Sequence, residues 1–572
     1  MYIKSLNIVN FRGIENLKIE FESRFNVLIG ENNSGKSSII DALRICLNYG
    51  KMQNDFYIKR SDFRILSETV APIEFHFEFS KEDDEDLGHF HSLLGMDDDG
   101  GETFQAHFKF YLTEKSGSFK IKMKTWGGRI EGNMISTDEF ADHVFSVYLD
   151  ALRDAGAQLK PGRLSKLGEL FLKIESNADK QKALANEVKT ALEGSESWAA
   201  VLTKGNSAIT SHLKSVSLNS ENLELSLNFL PTEYRKIVDS LVIGTSHTQD
   251  GKSIQLDISQ NGLGFNNLLF SSVILSDIQT FKEQEKSSLA ALLIEEPEAH
   301  LHPQQQNLFF QYLSDLSVKS KFQIFVTSHS PTVTAKAPIT SLRCIKKNKG
   351  KVMSFSPSKV LTPNNQIFLR KFLDTTKSQL FFSNGTILVE GVSEALLIPL
   401  LAKKMGFDLG KIGVEVVNIN GVAFEHFANL YKSDDEKLRL NSRCSILTDD
   451  DRSVETDEIS SRAKIAQSLE AGNLAVFLAQ KTFEIELFVA GTNKTILLDI
   501  WKELHPRSKV DATGDINTYA DNFLKKVDAN KAKSNLAYSL LNKLEEDKDL
   551  YTSFTVPEYI QKAIQWVCYV QP

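Results

Sequence analysis

The run Gly30-Glu31-Asn32-Asn33-Ser34-Gly35-Lys36-Ser37 constrains this chain more than any other. It fits the spacing GxxxxGK[ST], follows an apolar segment ending at Ile29 and opens a helical pattern from about Ser37 to Leu47. Such a strand, loop and helix is built to hold phosphate. Loop N–H groups and the helix N-terminus point at the anion. Lys36 then reaches the β/γ-phosphates, and the Ser37 hydroxyl, followed by Ser38, ligates Mg²⁺. At average residue usage the pattern arises by chance roughly 0.02 times in a chain of this length, so a solvated glycine/asparagine turn is the weaker reading.

A phosphate loop of this kind works with a carboxylate beyond a neighbouring buried strand. Leu292-Leu293-Ile294 runs into Glu295-Glu296, which predicts Glu295 near the metal and Glu296 near the attacking water. The next apolar run, Ile324-Phe325-Val326, leads to Thr327-Ser328-His329. A histidine at that strand end is placed to sense the γ-phosphate. His300 and His302 form an HxH pair without a third ligand of suitable spacing, so they are not read as a metal site.

Around this core the chain organises into four segments. Residues 1–160 carry alternating strands. Ile73, Phe75, Phe77 and Phe79, then Phe104, Ala106, Phe108 and Phe110, then Phe119, Ile121 and Met123 each share one face and predict an antiparallel sheet. Residues 161–233 turn polar and alanine-rich with helical spacing, an insertion that could serve dimerisation. Residues 234–375 return to the first fold, with Ala290–Ile294 and Phe322–Val326 expected as parallel strands separated by a helix. Residues 376–572 open a second strand-helix alternation at Asn384-Gly385, a second α/β sheet.

Composition excludes several classes. The 74 acidic and 66 basic residues give a net charge of −8, so a DNA partner cannot be argued from bulk charge and must come from a site. Four dispersed cysteines without a CxxC pair indicate neither a zinc cluster nor a disulfide framework. No apolar run reaches the ~20 residues that span a bilayer, and the first residues lack a secretory pattern, so a cytoplasmic chain without membrane contact is expected.

The second chemical site follows residue 375. The apolar run Ile387-Leu388-Val389 ends in Glu390-Gly391, and Glu394 comes one helical turn later. Ser445-Ile446-Leu447-Thr448 ends in Asp449-Asp450-Asp451, where alternation points Asp449 and Asp451 together and Asp450 away. Either acidic run alone reads as a helix start or a solvated turn. Four converging carboxylates, however, require cations, and Mg²⁺ or Mn²⁺ suits oxygen ligands. Two such ions stabilise both the attacking and the leaving oxygen of a phosphodiester.

These motifs carry two resemblances. Gly30–Ser37, Asn261-Gly262-Leu263-Gly264, Glu295-Glu296-Pro297-Glu298 and Ser328-His329 resemble the ABC-type ATPase of SMC and RecF-like proteins. That resemblance implies ATP sandwiched in a homodimer, with Asn261, Gly262 and Gly264 acting across the interface. It also puts Arg12 of Asn10-Phe11-Arg12-Gly13 beside the nucleotide, along with Gly30, Asn33 and Gly35. Glu295 departs from the aspartate usual at its position. Glu390, Gly391, Glu394, Asp449 and Asp451 resemble the Toprim domain.

An ABC-type ATPase with a helical insertion followed by a Toprim α/β domain is similar to the overcoming-lysogenization-defect (OLD) family. The resemblance implies an ATP-binding, Mg²⁺-dependent DNA endonuclease or nickase of anti-phage defence, acting as a homodimer or larger assembly. It implies companions such as a helicase-like protein or a retron reverse transcriptase with its nucleic acid. Glu484 and Glu486, expected to alternate on a strand, would join the metal ligands, and Lys533 would stabilise the transition state. The competing reading is a RecF- or SMC-like DNA clamp driven by ATP and without nuclease activity.

Overall fold

The computed structural model describes residues 1–51, 56–66, 69–83, 85–96, 101–115, 118–151, 158–163, 165–216, 227, 233–249, 252–284, 288–421, 423–452 and 458–568. Contacts divide the chain into two compact units, residues 1–148 with 289–298 and 303–572, and residues 149–288 with 299–302.

In the first unit the period-two rows of phenylalanine build an antiparallel sheet. Its order is Ile14–Glu20, Tyr2–Phe11, Ile73–Ser80, Glu102–Lys115 and Leu94–Met96, with Ser118–Gly127 also paired to Glu102–Lys115. Phe75, Phe77, Ala106 and Phe108 are buried, and they pack with Ile39, Ile40 and Leu43 of the helix Lys36–Leu47. The third expected row differs: Phe119, Ile121 and Met123 are exposed, so the face they share on the edge strand Ser118–Gly127 is not covered as the other two rows are.

On the outer face of this sheet, His76 Nδ1 and His107 Nδ1 lie 2.7 Å apart, and His107 Nε2 is 3.0 Å from the Gly128 carbonyl. His107 stacks on Trp126. Burial, and then the adjacent His76, pull His107 down to about 4. A folded value below the unfolded one means that the unfolded chain binds the extra proton between them. Stability should therefore be full above about 6.5 and fall by about 2–3 kcal/mol as pH drops toward 4. Thermal melts across pH 4–7 check this: His107→Gln should flatten the profile, and an unchanged slope would exclude His107 as its source.

The second sheet carries the phosphate loop. Its order is Val144–Leu149, Leu289–Glu295, Gln323–Ser328, Phe25–Ile29, Leu342–Asn348 and Lys351–Phe355. Strands 289–295, 323–328, 25–29 and 342–348 run parallel, so their C-terminal ends, with the loop among them, open on one side. The helix Pro303–Lys319 connects two of them, as the sequence predicts. The third sheet, order Val414–Asn418, Gly385–Val389, Arg443–Asp449 and Leu474–Ala479, is wholly parallel, and Glu390 and Asp449 stand where its two central strands end.

In the second unit the helices Lys166–Ile174, Ala178–Glu193 and Glu196–Val216 occupy the expected insertion; its residues 164, 217–226 and 228–232 lie outside the described residues. Among the described residues no helix is long and apolar enough to cross a membrane.

Candidate active sites

The phosphate loop leaves the strand Phe25–Ile29 at Gly30 and enters the helix at Lys36. Both loop glycines hold positive φ, +156° at Gly30 and +105° at Gly35. A Cβ on Gly30 would sit 2.1 Å from the Ile345 carbonyl oxygen, so no larger residue fits. Lys36 Nζ folds back to donate to the carbonyls of Gly30 (2.7 Å) and Glu31 (2.8 Å). Burial lowers its pKa, and Glu296, Glu298 and Glu295 oppose that shift.

Ser37 Oγ donates to Glu295 Oε2 at 2.6 Å, and Tyr148 donates to Glu295 Oε1 at 2.9 Å. A hydroxyl and a carboxylate meeting at the loop's exit form the oxygen pair that a magnesium triphosphate needs. Glu296 turns into the left-handed region (φ 43°), and its Oε1 lies 3.4 Å from His329 Nδ1. Asn33, Gly35, Lys36, Ser37, Ser38, Glu296 and His329 line one cavity of about 620 Å³. Arg12 takes a different position: its guanidinium bridges Asp62 (2.8 Å) and Asp41 (2.7 Å), while Gly13 and Ile14 reach the cavity.

Glu298 belongs to this framework although the sequence reading gave it no role. Its Oε1 accepts from the Ser328 hydroxyl (2.6 Å) and the His329 N–H (3.2 Å), and burial raises its pKa. It fixes the backbone from which His329 projects. The motif that contains it does not reveal these contacts, since its partners lie 30 and 31 residues away.

Asn261, Gly262 and Gly264 lie in the second unit, at the start of the helix Leu263–Gln284. Asn261 Oδ1 accepts from Thr245 at 3.2 Å. A Cβ on Gly264 would meet the His300 carbonyl oxygen at 2.3 Å, so this glycine has a packing reason of its own; one on Gly262 would meet open space.

The second site gathers at the ends of the third sheet. Glu390 Oε1 accepts from the Thr448 hydroxyl and from the Asp449 N–H (3.2 Å). Asp449 Oδ1 accepts from the Phe483 N–H at 2.8 Å. Strand pairing stops at Asp449, so strand alternation does not aim Asp451; a left-handed turn does (φ 44°), and Glu390, Asp449 and Asp451 line one cavity of about 180 Å³. Asp450 points away, as expected, accepting from Arg452 (2.7 Å) and from the Lys481 N–H (2.7 Å).

Glu394 opens the helix Val392–Lys404, and Gly391 is extended, with room for a Cβ only 3.2 Å from Glu394 Oε2. Burial, with Glu484 and Glu390 nearby, raises Glu394 to about 7. Burial, then Glu390, Glu484 and Glu394, push Asp449 up to about 9. These carboxyls resist ionising because each is desolvated among its fellows.

One expectation is corrected. Lys481–Leu487 does not contain a strand with Glu484 and Glu486 on one side: Phe483–Val489 is a helix, capped by Thr482 accepting from the Ile485 N–H. Residues two apart on a helix point in nearly opposite directions. Glu484 accordingly joins the cluster, its Oε2 3.1 Å from Lys533 Nζ. Glu486 turns elsewhere and accepts from the Gln480 N–H at 3.0 Å. Lys533, first residue of the helix Lys533–Glu546, also lies 3.7 Å from Asp528. Among the described residues no three acidic, imidazole or thiol groups close around a single ion position.

An AAA domain model matches residues 5–228 and an AAA ATPase domain model residues 153–334. Residues 381–451 match the model of the overcoming lysogenization defect protein-like TOPRIM domain, a span that holds Glu390, Glu394, Asp449 and Asp451. Old nuclease of Escherichia phage P2 is 24% identical, with 84% of each chain covered, and Endonuclease GajA of Bacillus cereus (strain HuB5-5) is 23% identical, with 99% of each covered. Along most of its length the chain is similar to nucleases of the OLD family. It is an ATPase–Toprim nuclease, a hydrolase built from two α/β parts. The solved C-terminal region of the Xanthomonas campestris pv. campestris OLD protein aligns at 22% identity over 33% of this chain and 94% of that one, TM-score 0.24.

Proposed function

We propose that this OLD-like chain is a DNA endonuclease or nickase dependent on Mg²⁺ or Mn²⁺, governed by ATP at its first site and serving anti-phage defence. The observation that carries the reading is the meeting of Glu390, Asp449 and Asp451 in one cavity, with Glu394, Glu484 and Lys533 beside it. The chemistry of the donor set suits divalent ions, although among the described residues the side chains do not yet close on one ion position: every candidate ligand is a carboxylate oxygen, and burial without enough cationic charge holds Asp449 and Glu394 above the usual carboxylate range. Glu390, Asp449 and Asp451 would hold one ion once their side chains close on it, and Glu394 with Glu484 a second, with Glu486 outside the set. Ions held there supply Lewis-acid stabilisation of a phosphodiester's developing charge. Lys533, paired to Glu484 at 3.1 Å, brings a protein cation to the same place.

At the first site ATP would rest on Gly30, Asn33, Gly35, Lys36, Ser37 and Ser38, with Glu295 on the magnesium side, Glu296 orienting water and His329 reporting the γ-phosphate. Arg12 would act through Asp41 of the loop helix. Asn261, Gly262 and Gly264 of a second copy would complete the site, which makes a homodimer the working unit. A helicase-like or retron companion would supply the trigger.

The reading is tested by incubating the full-length protein with supercoiled plasmid. Mg²⁺ or Mn²⁺ should give nicked or linear product, and chelation should stop it. Binding of plasmid without strand breakage under these conditions would favour the ATP-driven clamp.

A further inference from the structure

We infer that Lys347 is a phosphate ligand for the nucleotide, presented from the same subunit by the hairpin Leu342–Asn348 and Lys351–Phe355; this rests on the reading of the 620 Å³ cavity as the ATP site.

The hairpin is fixed against the phosphate loop. Leu342, Arg343 and Cys344 pair in parallel with Val27, Leu28 and Ile29, so the hairpin's far end extends past the loop on the side where the cavity opens. The Ile345 carbonyl occupies the space a Gly30 side chain would take, and Val352 lies 3.3 Å from the Cβ position of Gly35. Alternation along the hairpin then divides its side chains. Lys346 and its cross-strand partner Met353 face one way: Lys346 Nζ donates to the Ser383 carbonyl at 2.6 Å, and Met353 Sδ accepts from Asn441. Lys347 and its partner Val352 face the other way, and both line the nucleotide cavity.

Charge in the cavity asks for this lysine. Of the charged side chains lining it, Lys36 and Glu296 oppose one another, and Lys36 commits two of its three donors to loop carbonyls. A magnesium triphosphate remains an anion, and Lys347 gives the lining its net positive charge. Among the described residues Lys347 has no ion-pair partner, whereas its cavity neighbour Glu296 lies 3.4 Å from His329.

The test is calorimetric titration of the full-length protein with ATP and Mg²⁺. Lys347→Ala should weaken binding about tenfold to a hundredfold and flatten its salt dependence, as the loss of one charge-assisted contact requires. Lys347→Arg should recover most of the affinity, and Lys349→Ala, in the adjoining turn, should bind as wild type, all three melting normally. Affinity of Lys347→Ala within twofold of wild type, alongside lost binding in Lys36→Ala, would overturn the inference and leave the ATP site standing. Wild-type binding in Lys36→Ala would instead remove the ATP reading itself.

Discussion

Asp449→Ala should lower metal-dependent DNA cleavage by about a thousandfold or more while the protein stays folded. Asp449 ends a central strand of the third sheet, its carboxylate reaches the Phe483 N–H, and it shares a cavity with Glu390 and Asp451. On the proposed reading, removing it takes away the ligand with the most carboxyl neighbours. A bound divalent ion contributes several kcal/mol to stabilising a phosphodiester's transition state, and each 1.36 kcal/mol is a tenfold change in rate, which gives the expected size. Folding should not suffer. Without metal the buried Asp449 carboxyl is among the least comfortable groups in the domain, raised to about 9, so its loss relieves crowding. Plasmid nicking with Mn²⁺, followed by gel densitometry beside a thermal melt, checks both halves. Nicking at the wild-type rate would show that the site is misassigned.

The second large effect belongs to Glu296→Gln. Glu296 is partly exposed in the nucleotide cavity, 3.4 Å from His329, on a left-handed residue held by its N–H to the Thr327 carbonyl at 3.1 Å. Glutamine keeps the shape and the backbone bond but cannot take a proton. General-base catalysis contributes about a hundredfold to ten-thousandfold, so phosphate release should fall by roughly a hundredfold or more. Affinity for ATP should persist, because Lys36, Ser37 and Glu295 are untouched. The variant should therefore retain ATP after gel filtration, read by chromatography of the extracted nucleotide. Unchanged turnover would remove the role assigned to Glu296.

Much of this was legible before the fold. The phosphate loop has its own motif, and the two strands ending at Glu295 and Ser328 and the two ending at Val389 and Asp449 are short apolar runs closed by chemistry-bearing residues that form central parallel strands in the structure. What escaped has physical reasons. Phe483-Glu484-Ile485-Glu486-Leu487 alternates apolar and acidic, which mimics a strand; its helix is only seven residues long, too short to display a 3.6 period, and the decisive signal is the Thr482 cap. Asp451 reaches the cluster through a left-handed turn, which sequence spacing cannot distinguish from strand alternation. Tyr148 and Thr448 carry no motif, Glu298 sits in one that assigns it no role, and Tyr148 meets Glu295 across 147 residues of chain. Phe119, Ile121 and Met123 show the limit of periodicity, which groups residues on a face without saying whether that face is covered.

The most direct test of the account is anomalous diffraction from crystals of the full-length protein grown with Mn²⁺. Manganese should appear within about 2.0–2.6 Å of oxygens from Glu390, Asp449 and Asp451, with Lys533 drawn off Glu484 if a second ion joins. Manganese found only away from these carboxylates, at a concentration that supports cleavage, would contradict the account.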